Sequence, residues 1–176
     1  QEKGAVHDLK DGFKAVSFLS NHELYTVGHL GQYIAETQRT FSKIKAESTE
    51  KERRIRDIDA LFGAIQTIRE LKPVQQEYEG IHWNSKREKY KAEHGDELSR
   101  LQKAIWLREK LIKSLGLASP LDKEQRAALK TERALLDAER ETLLPELEEV
   151  KAEMAELNRI RYWTRKVIPD ELPRVS

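Results

Sequence analysis

Across residues 26–72 large apolar side chains return on a seven-residue beat. Ile34, Phe41, Ile55 and Phe62 share one heptad position, and Ile44, Ile58 and Ile65 share the position three residues on. Such a repeat lays one narrow apolar stripe along a helix, and the stripe requires an equally long partner to cover it. Ser48 and Lys51 are the polar exceptions in the seam, while Leu61, Ile68 and Leu71 widen it near its end. No proline interrupts the run, and Gly63 is its only late glycine. About 47 residues at about 1.5 Å each predict a helix of roughly 70 Å. Ordinary globular helices average about 11–12 residues, so the pattern is that of a coiled coil.

A second stripe of the same length begins at Ser119-Pro120. Ser119 suits an N-cap, and Pro120 suits the first helical position, where no N–H is needed. Leu129, Leu136, Leu143, Val150 and Leu157 follow at sevens, joined by Leu147, Met154, Ile160 and Val167. Pro145 lies inside this run and predicts a kink or a split. Two matched stripes separated by some 45 residues predict an all-α fold, a long antiparallel coiled-coil hairpin stalk with a small helical head inserted at its tip. The expected organisation is a short helix over 1–25 packing on the stalk base, stalk helix one over 26–72, and the head over 73–118. Stalk helix two then covers 119–168, and a tail 169–176.

Finer signals mark the boundaries. Residues 5–20 show Leu9, Phe13, Val16 and Leu19 at helical spacing, which predicts one apolar face. Asn21–Tyr25 breaks that pattern, and Thr26 is placed to cap the next helix. In the head, Pro73 opens a short helix to Tyr78, and Gly80 and Asn84 interrupt the chain. Ser85 and Glu88 have capping-box spacing, so a helix is expected from Ser85 to His94. Gly95 and Asp96 then start another, which Gly116 closes as a C-cap.

Composition agrees with an elongated shape. Charged residues make up 36% and the apolar set 38%, against about 25% and about 45–50% in globular chains. The absence of cysteine removes disulfides, thiolate metal sites and thiol nucleophiles. No apolar run approaches the roughly 20 residues needed to cross a bilayer, and no signal-peptide pattern opens the chain, so a cytoplasmic protein without membrane contact is expected. The chain opens at Gln1 and its sole methionine is Met154, which suggests a piece of a larger polypeptide.

The five histidines, His7, His22, His29, His82 and His94, show no metal-ligand spacing beyond a loose His22-Glu23 with His29. There is no glycine-rich phosphate loop and no serine elbow. No catalytic residue, metal or cofactor is expected in these residues.

Charge distribution is more informative. Residues 80–119 carry nine basic against five acidic groups, and 120–157 six against eleven. Within the first segment His82, Trp83, Lys86, Arg87, Lys89, Tyr90 and Lys91 crowd a turn and the helix after it. Lys86, Lys89 and Tyr90 share a face, and Arg87 and Lys91 the neighbouring one. The pattern suits phosphate contact with aromatic stacking; the competing reading has Trp83 and Tyr90 packing the head on the stalk. Arg161, Arg165 and Lys166, around Tyr162 and Trp163, form a second candidate contact. Trp163, one turn from Ile160 and Val167, is expected to close the core against helix 5–20. The acidic stretch Glu146 to Glu156 reads as a wet face, with Lys43, Lys45, Lys51, Arg53 and Arg54 opposite as partners.

Several of these words carry a resemblance. They are Ile65-Gln66-Thr67-Ile68-Arg69-Glu70-Leu71-Lys72-Pro73-Val74, Glu77-Tyr78, Gly80-Ile81, and Lys86-Arg87-Glu88-Lys89-Tyr90 with His94. The ending Asn158-Arg159-Ile160-Arg161-Tyr162-Trp163-Thr164-Arg165-Lys166-Val167-Ile168-Pro169 belongs with them, as does Phe18-Leu19 before Asn21-His22-Glu23-Leu24. Together they resemble the C-terminal helical region of relaxase, or mobilisation-nuclease, proteins of conjugative and mobilisable elements. Relaxases nick one DNA strand with a tyrosine, a divalent metal and a histidine cluster on an N-terminal α/β domain, and none of those elements can be placed on this sequence. The resemblance implies a non-catalytic accessory domain whose partners are transfer-origin DNA, relaxosome or coupling proteins, or a second copy. The alternative is a structural coiled-coil module with no nucleic-acid role.

Overall fold

The computed structural model describes residues 2–24 and 27–167, and side chains over 12–24 and 27–164. Thr26, expected as an N-cap, and the expected tail 169–176 lie outside the described residues. The described chain is all-α: α1 (Glu2–Asn21), α2 (Val27–Glu70), α3 (Lys72–Glu79), α4 (Asn84–Ser114) and α5 (Lys123–Val167), with no strand among the described residues. Among these helices none is long and apolar enough to cross a membrane.

The seam of α2 follows the predicted beat. Leu30, Ile34, Thr37, Ser48, Ile55 and Ile58 are buried, and Phe41, Ile44, Lys51, Phe62 and Ile65 half-buried, all at alternating four- and three-residue steps. By internal contacts the chain divides into a terminal unit, residues 1–48 with 141–176, and a central unit, residues 49–140. In α2 that division falls between Ser48 and Lys51, where the sequence interrupts its apolar seam.

In the central unit α2, α4 and α5 share one core. Ile58 and Leu61 of α2, Leu111 and Ile112 of α4, and Leu129 of α5 are buried together with Leu115 and Leu121. Ion pairs fix the antiparallel register of α2 and α5: Lys51 Nζ lies 2.6 Å from Glu139, Arg54 grips Glu132 at 2.8 and 3.3 Å, and Arg133 grips Asp59 at 3.0 and 3.3 Å. Pairs this near the surface add less to stability than they do to the choice of orientation. The carboxylates that Lys51 and Arg54 meet lie ahead of the acidic stretch expected to receive them.

α4 ends as expected. Gly116 takes φ +68, Leu117 N–H donates to the Ile112 carbonyl at 2.9 Å, and Gly116 N–H to that of Lys113 at 3.2 Å. These are the two bonds of a Schellman motif, which needs a left-handed residue and therefore favours glycine. The expected break after His94 is present as a kink: His94 leaves the helical region at φ −118 and ψ 22, and two helices join there within α4. α5, by contrast, does not start at Ser119-Pro120. Asp122 Oδ1 accepts the Gln125 N–H at 2.7 Å, and Asp122 N–H donates to Gln125 Oε1 at 3.2 Å. This reciprocal box satisfies two donors at once, which the serine and proline upstream cannot do. Pro145 does not split α5, which runs on through it. The missing N–H orphans the Glu141 carbonyl, and both residues are exposed, so water can satisfy it.

In the terminal unit α1 packs against α2 and α5. Ala15, Leu24, Leu30, Ile34, Leu157 and Ile160 are buried together, flanked by Phe18, Leu19, Tyr33 and Trp163. The predicted apolar face of α1 is not the buried one: Phe13 is 74% and Val16 65% exposed. The turn after α1 explains the choice. Glu23 adopts φ 55, and Leu24 N–H donates to the Leu19 carbonyl at 2.8 Å, which holds Leu24 beside Leu19 and directs that side inward. Phe13 then points about 160° away from Ala15 around the helix.

Candidate nucleic-acid interface

Two helices build the 82–91 cluster. Pro73 sits in the first turn of α3, and residues 80–83 turn the chain into α4. Trp83 occupies the N-cap of α4 with extended backbone, and its carbonyl accepts the Arg87 N–H at 3.0 Å. The Ser85–Glu88 capping box does not form: the N-cap is Trp83, two residues ahead of Ser85, so Ser85 falls within the first turn and no side chain caps the helix.

The fold then sorts the cluster into two halves. The inner half gathers on Tyr78, a residue outside the predicted set. The Arg87 guanidinium lies 5.5 Å and Lys91 Nζ 6.0 Å from the centre of its ring, and the Tyr90 ring 6.2 Å away. Tyr90 donates its hydroxyl proton to Glu77 at 2.9 Å, and His94 stacks on its ring at 4.2 Å. Burial, then the bond to Glu77, raises the Tyr90 hydroxyl above its ordinary range. Lys91 is raised too, by hydrogen bonding with Tyr78 and by the charge of Glu88. These groups join α3 to α4. Tyr78 escaped sequence reasoning because its partners lie nine to thirteen residues on, across a turn, with no shared periodicity.

The outer half faces water. Trp83 is 72% exposed, and His82, Lys86 and Lys89 are exposed as well. Lys89 has only a loose ion pair with Glu93, at 3.9 Å, and Lys86 has no polar partner among the described residues. Tyr90, expected beside Lys86 and Lys89, also packs on Tyr78 and bonds Glu77, while Trp83 does not pack as the competing reading required.

The second candidate set lies in the terminal unit. Arg161 is exposed, and Tyr162, 56% exposed, meets Trp163 edge-on at 5.7 Å. Trp163 packs against the core that includes Ala15 and Ile160. Arg165 and Lys166 continue α5, but their side chains lie outside the described residues. Among the described residues no three His, Asp or Glu side chains gather around a common metal position. His22 instead stacks on Phe18 at 4.2 Å and leans on Tyr33 at 5.4 Å.

No protein-family model, no curated protein and no solved structure matches this chain.

Proposed function

We propose that this chain is a non-catalytic helical interaction module that contacts DNA through the outer face of the α3–α4 turn. The observation that carries the reading is Trp83, a large apolar ring 72% in solvent, at the start of a helix whose next exposed cations are Lys86 and Lys89. Burying such a ring is favourable, and a base offers it a stacking partner while the lysines meet phosphates. The relaxase-like words in the sequence supply the context, a DNA-transfer protein with the strand-nicking chemistry elsewhere.

The test is a fluorescence-anisotropy titration on single- and double-stranded DNA at two salt concentrations. Binding should fall steeply as salt rises. Trp83→Ala together with Lys86→Glu and Lys89→Glu should abolish it without changing helix content, because none of these side chains supports the fold. Arg87 is left alone, since it braces α3 against α4. Absence of binding at low salt overturns the reading. The second reading, self-association through α5, is favoured by Leu135, which is 57% exposed in the central unit. Sedimentation equilibrium that shows a dimer, lost on Leu135→Glu, would support it.

A further inference from the structure

Away from the α3–α4 turn, the central unit contains a cavity of ≈ 150 Å³ where α4 ends and α5 begins. Its apolar floor is Ile65, Ile112 and Leu121, and its polar wall is Arg108, Arg126 and Ser119. No carboxylate lines it. Arg108 and Arg126 thus both border one small space whose lining holds no carboxylate.

The acids beside these residues, Glu109 and Asp122, are exposed and stand outside the lining. Arg108 makes an ion pair with Glu109 at 3.6 Å, a weak one because the Glu109 side chain is 66% exposed. Asp122 spends Oδ1 on the α5 cap. Arg126 commits one nitrogen to the Leu121 carbonyl at 2.9 Å, which holds its guanidinium in place and leaves its other donors. Arg108 is half-buried, and a partly desolvated cation gains from an anion placed against it. Ser119 has no hydrogen-bond partner among the described residues.

We propose that this cavity binds a small phosphate monoester, the phosphate held by Arg108, Arg126 and Ser119 and its organic part resting on Ile65, Ile112 and Leu121. Charge selects the headgroup: a monoester carries about −1.5 to −2 at neutral pH, which answers two guanidiniums, whereas a carboxylate brings a single charge. Guanidinium donors also match phosphate oxygens in pairs. Size limits the rest. The space of ≈ 150 Å³ takes the phosphate and a small ring, and a larger organic part would extend out of its open side. The inference is independent of the nucleic-acid reading.

Calorimetric titration of the full chain with phenyl phosphate, inorganic phosphate and phenol, at matched ionic strength, tests it. Phenyl phosphate should bind several-fold tighter than inorganic phosphate, because its ring adds contact with the floor, and phenol should bind far more weakly than either. Arg108→Gln should weaken phenyl phosphate at least about tenfold, and Arg108→Lys should recover only part of the loss, since the planar fork is gone. Circular dichroism of both variants should match the parent; Arg126→Gln is the less clean probe because Arg126 also supports the Leu121 loop. Phenol binding as tightly as phenyl phosphate would overturn the proposal. So would phosphate binding that survives Arg108→Gln but is lost on Lys86→Glu with Lys89→Glu, which would locate the anion on the α3–α4 turn.

Discussion

Two clusters in this chain share a vocabulary of arginine, lysine, tyrosine and tryptophan, and the fold uses them in opposite ways. Around the α3–α4 turn the tyrosine goes in and the tryptophan stays out. Tyr90 is bonded to Glu77 and packed on Tyr78, while Trp83 stands 72% exposed. At the end of α5 the tryptophan goes in, against a core of Ala15, Leu157 and Ile160, and Tyr162 stays 56% exposed. Residue type therefore does not assign a role here. What decides is which neighbour a distant segment brings: α3 presents a ring and a carboxylate to Tyr90, whereas α1 presents an apolar wall to Trp163.

Chemical denaturation of single variants can break that contrast. The largest effect should come from Trp163→Ala, a loss of about 2–3 kcal/mol, at or below the low end for an aromatic truncated in a core because the ring is only partly buried. If stability is unchanged, the inward role assigned to Trp163 is wrong.

Tyr33 sharpens the same point in the terminal unit. Its hydroxyl donates to Glu153 at 2.5 Å, and that bond, with burial and the carboxylate's charge, pushes its pKa up to about 12. An unfolded tyrosine ionises near about 10. The stabilisation is therefore complete below about pH 10 and is lost as pH rises towards about 12. Tyr33→Phe should cost about 1 kcal/mol at neutral pH and remove the last transition in an absorbance titration of the tyrosines.

Glu23, left-handed at φ 55, offers a gain. Glu23→Gly should stabilise by about 0.5–1 kcal/mol, because glycine adopts this conformation without the steric penalty of a Cβ. A loss instead would mean that the Glu23 side chain does something beyond filling the turn. The smallest effect belongs to the outer cluster. Trp83→Ala should change stability by less than about 0.5 kcal/mol, and a larger loss would move Trp83 into the scaffold.

Much of the fold was legible because its signals are local. A seven-residue repeat needs only a helix to become a stripe, and the buried positions of α2 follow it from Leu30 to Ile65. Gly116 was legible for the same reason, since a left-handed residue after a helix is a backbone requirement. The start of α5 was misread because Ser119-Pro120 is a good local signal, and Asp122 with Gln125 a better one, satisfying two backbone groups in one motif. Of the candidate site, the sequence indicated the crowd of cations and aromatics but not its division. Tyr78, the ring on which the inner half gathers, belongs to another helix.

What the amino-acid order determined alone is helix: where each begins and ends to within a few residues, and which stripe of α2 is apolar. Backbone hydrogen bonding and side-chain periodicity act over one or two turns, so they are written in neighbouring residues. Only the tertiary structure decided that α1 buries Ala15 rather than Phe13, that Tyr90 turns inward while Trp83 stays out, and that Arg108 and Arg126 border one cavity. Burial is a relation between segments far apart in the chain, and a helix with apolar residues on two sides carries no local term to choose between them.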